Sequence, residues 1–213
     1  KRILIVAPTI LIDNWKLEIE KFIKDTRNFK IKILRGKDLT YRANNERSFN
    51  SFDVCGLLDS ESYPSIILTT YQTLTNYQFP FSQNDEWHFD CVVFDEAHNL
   101  KNPNSQQSQA ARAVAAGIKF KVLLSGTPIE NELRDLWALF DIFDPSHFGS
   151  WKKFKEEFVK STVSDMDEKL RNKASKYILR RLKKDYLKEL PKKQEKVYRV
   201  PLGVDSQGYL DIL

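Results

Sequence analysis

Four short stretches, residues 2–7, 65–70, 91–95 and 121–125, are dominated by Ile, Val and Leu with little polar alternation. Strands of that kind are buried on both faces and belong to a parallel sheet. A fifth stretch, residues 29–34, alternates instead: Phe29, Ile31 and Ile33 oppose Lys30 and Lys32, the pattern of an edge strand. Between the strands, Leu11, Trp15, Ile19, Phe22 and Ile23 recur at helical spacing, and so do Leu133, Leu136, Trp137 and Phe140. Alternating strands and helices predict an α/β layered fold. The boundary residues agree. Asn102-Pro103 can open a helix that Gly117 closes, and Thr127-Pro128-Ile129-Glu130 reads as a capping box with Pro at the first helical position.

Past about Pro145 the strands disappear. Trp151, Phe154 and Phe158 form one amphipathic stripe, and Leu170, Ala174, Tyr177, Ile178 and Leu182 form another with basic residues around it. The expected division is a lobe at 1–145, a basic helical protrusion at 146–200 in which Pro191 ends the helices, and the start of a linker at 201–213. Charge sharpens this picture. From Trp151 to Arg199 there are 17 Lys and Arg against 8 Asp and Glu, whereas residues 1–150 carry 17 against 19. So uneven a distribution fits either a phosphate-facing surface or a solvated helical face.

Composition narrows the class. A chain of 213 residues with 41% hydrophobic content can bury an ordinary core. No apolar run approaches the roughly 20 residues of a membrane span, and the first residues lead into Pro8 rather than a signal-peptide cleavage site. A soluble intracellular protein is expected. Cys55 and Cys91 have no paired spacing with each other or with the three histidines, which supports neither a disulfide framework nor a zinc site. The chain starts without Met on a hydrophobic strand and ends at Asp211-Ile212-Leu213, as expected of a segment from a longer polypeptide.

The chemistry concentrates at two strand ends. Cys91-Val92-Val93-Phe94-Asp95-Glu96-Ala97-His98 is an apolar strand ending in adjacent carboxylates and a histidine. In parallel sheets ligands bind at the carboxyl ends of the strands. There one carboxylate can hold Mg²⁺ and the next can orient and deprotonate an attacking water; a coincidental turn gives the same letters. Val122-Leu123-Leu124-Ser125-Gly126-Thr127-Pro128 is a second buried strand, ending in two hydroxyls around a glycine. Ser125 and Thr127 can hydrogen-bond His98 or a phosphate-linked water, or Thr127 simply caps the next helix.

The order of these segments resembles the Swi/Snf-type family of DNA-translocating ATPases within helicase superfamily two. Ile5-Val6-Ala7-Pro8-Thr9 with Asn14-Trp15 and Glu18 looks like that family's motif Ia, and Ile67-Leu68-Thr69-Thr70-Tyr71 with Leu74 looks like motif Ib. Asp95-Glu96-Ala97-His98, a DEAH box, with Leu100-Lys101-Asn102 looks like motif II. Leu124 to Asn131 with Leu136-Trp137 looks like motif III, and Leu179-Arg180-Arg181-Leu182-Lys183 with Leu190-Pro191 looks like the basic segment that follows. The likeness is collinear from Arg2 to about Leu202.

The resemblance implies a RecA-like parallel sheet flanked by helices, with a C-terminal helical appendage. It implies an ATP hydrolase using ATP and Mg²⁺, with Asp95 binding the metal, Glu96 activating water, and His98, Ser125 and Thr127 coupling nucleotide state to the DNA side. It also implies that Pro8, Thr9, Thr69 and Thr70 lie along one strand of double-stranded DNA, touching phosphates through backbone amides and hydroxyls. Arg180, Arg181 and Lys183 fit phosphate contact or packing of the protrusion. Trp15 falls on the buried stripe of its helix and reads as core. The expected partners are double-stranded DNA, a second motor lobe of the same polypeptide, and DNA-bound proteins that the motor remodels. The expected place is the cytoplasm of a bacterium or a eukaryotic nucleus.

One departure bears on activity. A motor lobe of this kind begins with a Gly-rich loop ending in Gly-Lys-Thr or Gly-Lys-Ser. The chain has only Gly36-Lys37-Asp38, with no glycine in the preceding loop positions. The second lobe, which supplies an arginine to the ATP site in the family, is also outside the chain. The 213 residues alone are therefore expected to hydrolyse ATP negligibly, and the sheet is expected to expose an edge beside motif III. The competing expectation is a catalytically inactive nucleic-acid-binding or partner-docking lobe. An RNA helicase shares the Asp-Glu-Ala-His signature but is disfavoured by the motif III segment and the basic appendage.

Overall fold

The computed structural model describes residues 2–23, 30–36, 65–82, 88–126, 133–159 and 163–181. Five strands, β1 (Ile3–Ala7), β2 (Ile31–Leu34), β3 (Ile66–Thr70), β4 (Cys91–Phe94) and β5 (Phe120–Leu123), form one sheet in the order β2-β3-β1-β4-β5. Every pairing is parallel. All carboxyl ends therefore share one edge of the sheet. The two central neighbours, β1 and β3, are buried almost along their whole length, as uniform Ile/Val/Leu runs require. β2 takes the edge position that its alternation predicts.

Side-chain parity divides the core into two layers. Leu4, Val6, Val92 and Phe94 face one side, where they meet α2 (Tyr71–Asn76), α3 (Gln78–Ser82), α4 (Gln106–Ala115) and α5 (Leu133–Phe143) through Tyr71, Leu74, Phe81, Ala111, Val114, Leu139 and Ile142. Ile5, Ala7 and Leu68 face the other side, where α1 (Ile12–Phe22) brings Ile12, Trp15 and Ile19. Phe22, expected on that stripe, is exposed beside Lys21. The helix breaks there: Ile23 is already extended and follows the stripe inward in its place.

β5 departs from expectation. Its apolar run predicts burial on both faces, yet Phe120, Val122 and Leu124 are 55%, 41% and 38% exposed. The register gives the reason. Val122 lies opposite Val93, on the α1 side of the sheet, and α1 sits over β3 rather than β5. Leu123, of opposite parity, still packs into the other layer. Among the described residues β5 is an outer strand of the sheet.

One helix boundary also moves. α4 begins at Gln106 with Ser105 as its cap, the Ser105 hydroxyl accepting from Ser108 N at 3.2 Å. Asn102 instead closes a turn through Asn104 N, so the helix starts later than Asn102-Pro103 suggests. The capping box at Thr127 to Glu130 lies outside the described residues.

After α5 come α6 (Pro145–Phe148), capped by Asp144, and α7 (Trp151–Phe154), capped by Ser150 and running into a π-helical turn at Lys155–Val159. Phe148, Phe154 and Phe158 are buried in edge and tilted ring contacts with one another, and Phe148 meets Phe140 of α5 edge-on. Trp137 Nε1 donates to Gly149 O at 3.0 Å. These contacts bind residues 145–158 to the α/β lobe. The chain divides into two compact units, Lys1–Val163 and Ser164–Leu213. α8 (Val163–Ser175) buries Leu170 and Ala174, two of the residues its stripe predicts. Among the described residues no helix is long and apolar enough to cross a membrane.

Candidate functional site at the ends of β4 and β5

Asp95 follows β4 directly, and its position is fixed from three sides. Its backbone N–H donates to Val6 O at 2.8 Å, prolonging the β1 pairing. Its carbonyl accepts the Tyr71 hydroxyl at 2.7 Å, and its carboxylate accepts Trp15 Nε1 at 2.7 Å through Oδ2 and Glu96 N at 2.9 Å through Oδ1. Burial pushes the Tyr71 hydroxyl far above its ordinary range, and the neighbouring carboxylates of Asp95 and Glu96 add to the effect. Tyr71 is thereby kept as a donor.

Glu96 occupies the left-handed region, φ 51° and ψ 49°, the only non-glycine residue to do so among those described. For an L-residue that conformation costs roughly 1–2 kcal/mol. It turns the chain sharply off the sheet into a 3-10 turn at Ala97–Leu100. There Asn99 donates to Glu96 O from both its backbone N and its side-chain Nδ2. Ala97 and Leu100 are buried beneath the turn. The Glu96 and His98 side chains remain 39% and 41% exposed, with Glu96 Oε2 3.0 Å from His98 Nδ1. Lys101, just beyond, pairs with Asp135 of α5 at 3.6 Å.

The loops after β4 and β5 are joined through the main chain. Leu124 N donates to Phe94 O at 2.9 Å and Ala97 N donates to Leu124 O at 2.8 Å. Ser125 therefore adjoins the acidic turn, as the two-strand reading requires. Thr127 lies outside the described residues, as does Lys183. Pro8 and Thr9 sit at the carboxyl end of β1, half-buried and exposed respectively. Thr69 and Thr70 behave differently from expectation. Both are buried; Thr69 Oγ1 donates to Leu34 O at 3.0 Å, while Thr70 Oγ1 caps α2 by accepting from Thr73 N at 3.1 Å. Their hydroxyls are engaged inside the fold. Arg180 and Arg181 are exposed and follow α8 in the second unit. Gly36 follows β2, with β3 and β1 between it and β4, so it stands apart from the acidic strand end.

Trp15 and Tyr71 were not singled out as site residues by the sequence. Trp15 is 80 positions from its partner, and nothing in its helical stripe distinguishes an indole that only packs from one that also donates. For Tyr71 the nearest signal was its place directly after the strand-ending Thr69-Thr70 pair.

A five-stranded parallel sheet flanked by helices, with adjacent acids at the end of β4 and a hydroxyl-bearing loop latched beside them, defines a RecA-like lobe. The chain belongs to the SNF2-related domain family, whose model matches residues 1–208. It is 36% identical over 209 residues to an uncharacterized ATP-dependent helicase of Mycoplasma genitalium, covering 98% of this chain and 18% of that protein. It is 33% identical over 222 residues to the Zorya protein ZorD of Escherichia coli, covering 97% of this chain and 20% of that protein. Among solved structures, the SWI2/SNF2 ATPase core of Sulfolobus solfataricus in complex with double-stranded DNA is similar, with a TM-score of 0.66 and 28% identity over 89% of this chain and 36% of that one. The chain spans about a fifth of the length of the two relatives.

Proposed function

We propose that this chain forms part of the first motor lobe of an ATP-dependent double-stranded DNA translocase that remodels protein-DNA complexes. The observation that carries the reading is the pair of acids at the tip of β4, with Glu96 turned off the sheet edge and the β5 loop bonded alongside. Family membership and likeness to a core solved with double-stranded DNA support it.

The donor set fits Mg²⁺. Asp95 presents hard carboxylate oxygens, each accepting one N–H and each retaining a second lone pair. When bound, Mg²⁺ supplies neutralising charge to the nucleotide phosphates. Glu96, half-exposed and one residue on, orients the attacking water and takes its proton. His98 engages one Glu96 oxygen, and His98, Ser125 and Thr127 couple nucleotide state to the DNA side. Pro8 and Thr9, at the end of β1, lie along a DNA phosphate strand, which the Thr9 N–H and hydroxyl contact. Arg180, Arg181 and Lys183 add phosphate contacts. A Gly-Lys-Thr or Gly-Lys-Ser loop and an arginine from a second lobe complete the site in the full-length protein.

The deciding experiment is ATP hydrolysis by the full-length protein with and without duplex DNA, beside Glu96→Gln. Duplex-stimulated turnover that Glu96→Gln abolishes is expected. Equal rates in all four conditions would sink the motor reading and favour an inactive docking lobe.

A further inference from the structure

We propose that Trp15 is a positioning residue for Asp95, its indole N–H setting the direction in which that carboxylate faces a bound divalent cation. The inference rests on the reading of Asp95 as the cation-holding group. An indole has one polar hydrogen. Trp15 is only partly buried, against the Ile5, Ile12 and Leu68 cluster, so water was available to take that hydrogen. It goes instead to Asp95 Oδ2 at 2.7 Å, the short distance of a charge-assisted bond. The ring itself is held by packing between α1 and the sheet, so it cannot follow a rotating carboxylate. Glu96 N pins the other oxygen, and the Tyr71 hydroxyl and Val6 carbonyl hold the backbone of the same residue. Asp95 thus has one side-chain orientation among its rotamers already selected. Groups that orient a metal-binding side chain in this way commonly change metal affinity by roughly 10–100-fold when removed.

The test compares three forms of the full-length protein: wild type, Trp15→Phe, and Ile19→Ala, which loosens the same helix without touching Asp95. Each is titrated with MgCl2 while binding of a non-hydrolysable ATP analogue is followed at equilibrium. Trp15→Phe is expected to raise the Mg²⁺ concentration at half-maximal binding roughly ten-fold. Ile19→Ala is expected to lower the melting temperature and leave that concentration unchanged. Should Trp15→Phe fail to fold, a benzothienyl analogue of tryptophan installed at this position alone keeps the ring shape and removes only the N–H. An unchanged Mg²⁺ requirement in the folded variant overturns the inference, and so does an equal shift in Ile19→Ala, which would assign the effect to packing. Wild-type protein that binds the analogue without any Mg²⁺ dependence removes the metal-site reading itself, a result distinct from either of these.

Discussion

His98 Nδ1 stands 3.0 Å from Glu96 Oε2, so the carboxylate proposed to activate water has one oxygen engaged by the residue two positions further along the chain. Glu96→Gln retains that contact geometry and removes the base. In the full-length protein hydrolysis should fall by about 10²-fold or more, the usual contribution of a positioned base, with nucleotide affinity preserved. Steady-state turnover and equilibrium binding, measured on the same preparation, separate the two effects.

The backbone at that residue carries its own prediction. Glu96 holds φ 51°, a conformation that asparagine tolerates better than longer side chains. Glu96→Asn should therefore be more stable than Glu96→Gln by about 0.5–1 kcal/mol, a fraction of the left-handed penalty. Urea unfolding of the two variants checks it. Equal midpoints would mean the turn is held without strain.

Tyr71 gives a pH dependence with a defined sign. Its hydroxyl donates to Asp95 O, and its folded-state pKa lies above the ordinary value of 10.0 because of burial first and the two carboxylates second. Above that ordinary value the unfolded chain releases the proton while the folded chain keeps it. The stability contribution is complete below it and declines as pH rises towards the folded value. Tyr71→Phe should cost about 1–2 kcal/mol at neutral pH, the loss expected when a buried acceptor is left unpaired. It should also flatten the alkaline fall in stability relative to wild type. Denaturant midpoints at neutral and alkaline pH give the comparison.

Much of this architecture was legible in the chain. Parallel strands and the edge place of the alternating β2 follow from local pattern, and the order of the strand-end motifs follows from the family resemblance. What escaped was set by neighbours distant in sequence. The partial exposure of β5 depends on where α1 lies, and α1 is fixed by its stripe against β3. The fate of the Thr69 and Thr70 hydroxyls depends on Leu34 O and Thr73 N, and no strand-end pattern announces them. The aromatic helices after Pro145 read as an appendage because their polar flanks and loss of strands mark a change of texture. Their rings nonetheless reach Phe140, and the stripe had no means of showing that.

The exposed side chains of β5 supply a surface test. Phe120 and Val122 are uncovered on the α1 side of the sheet, and bare apolar strand edges template association. Replacing both with Lys should reduce concentration-dependent self-association of the 213-residue chain, with little change in unfolding midpoint. Sedimentation velocity over a concentration series reports it. Unchanged association would place the sticky surface elsewhere.

The atoms that latch the β5 loop to the acidic strand end, Ala97 N with Leu124 O and Leu124 N with Phe94 O, all belong to the main chain. Only proline at position 97 or 124 deletes a donor outright; every other exchange leaves the chemical groups of the latch in place. Substitutions of Ser125 or His98 can consequently be interpreted through the functional group they alter, because the scaffold joining the two loops does not depend on either side chain.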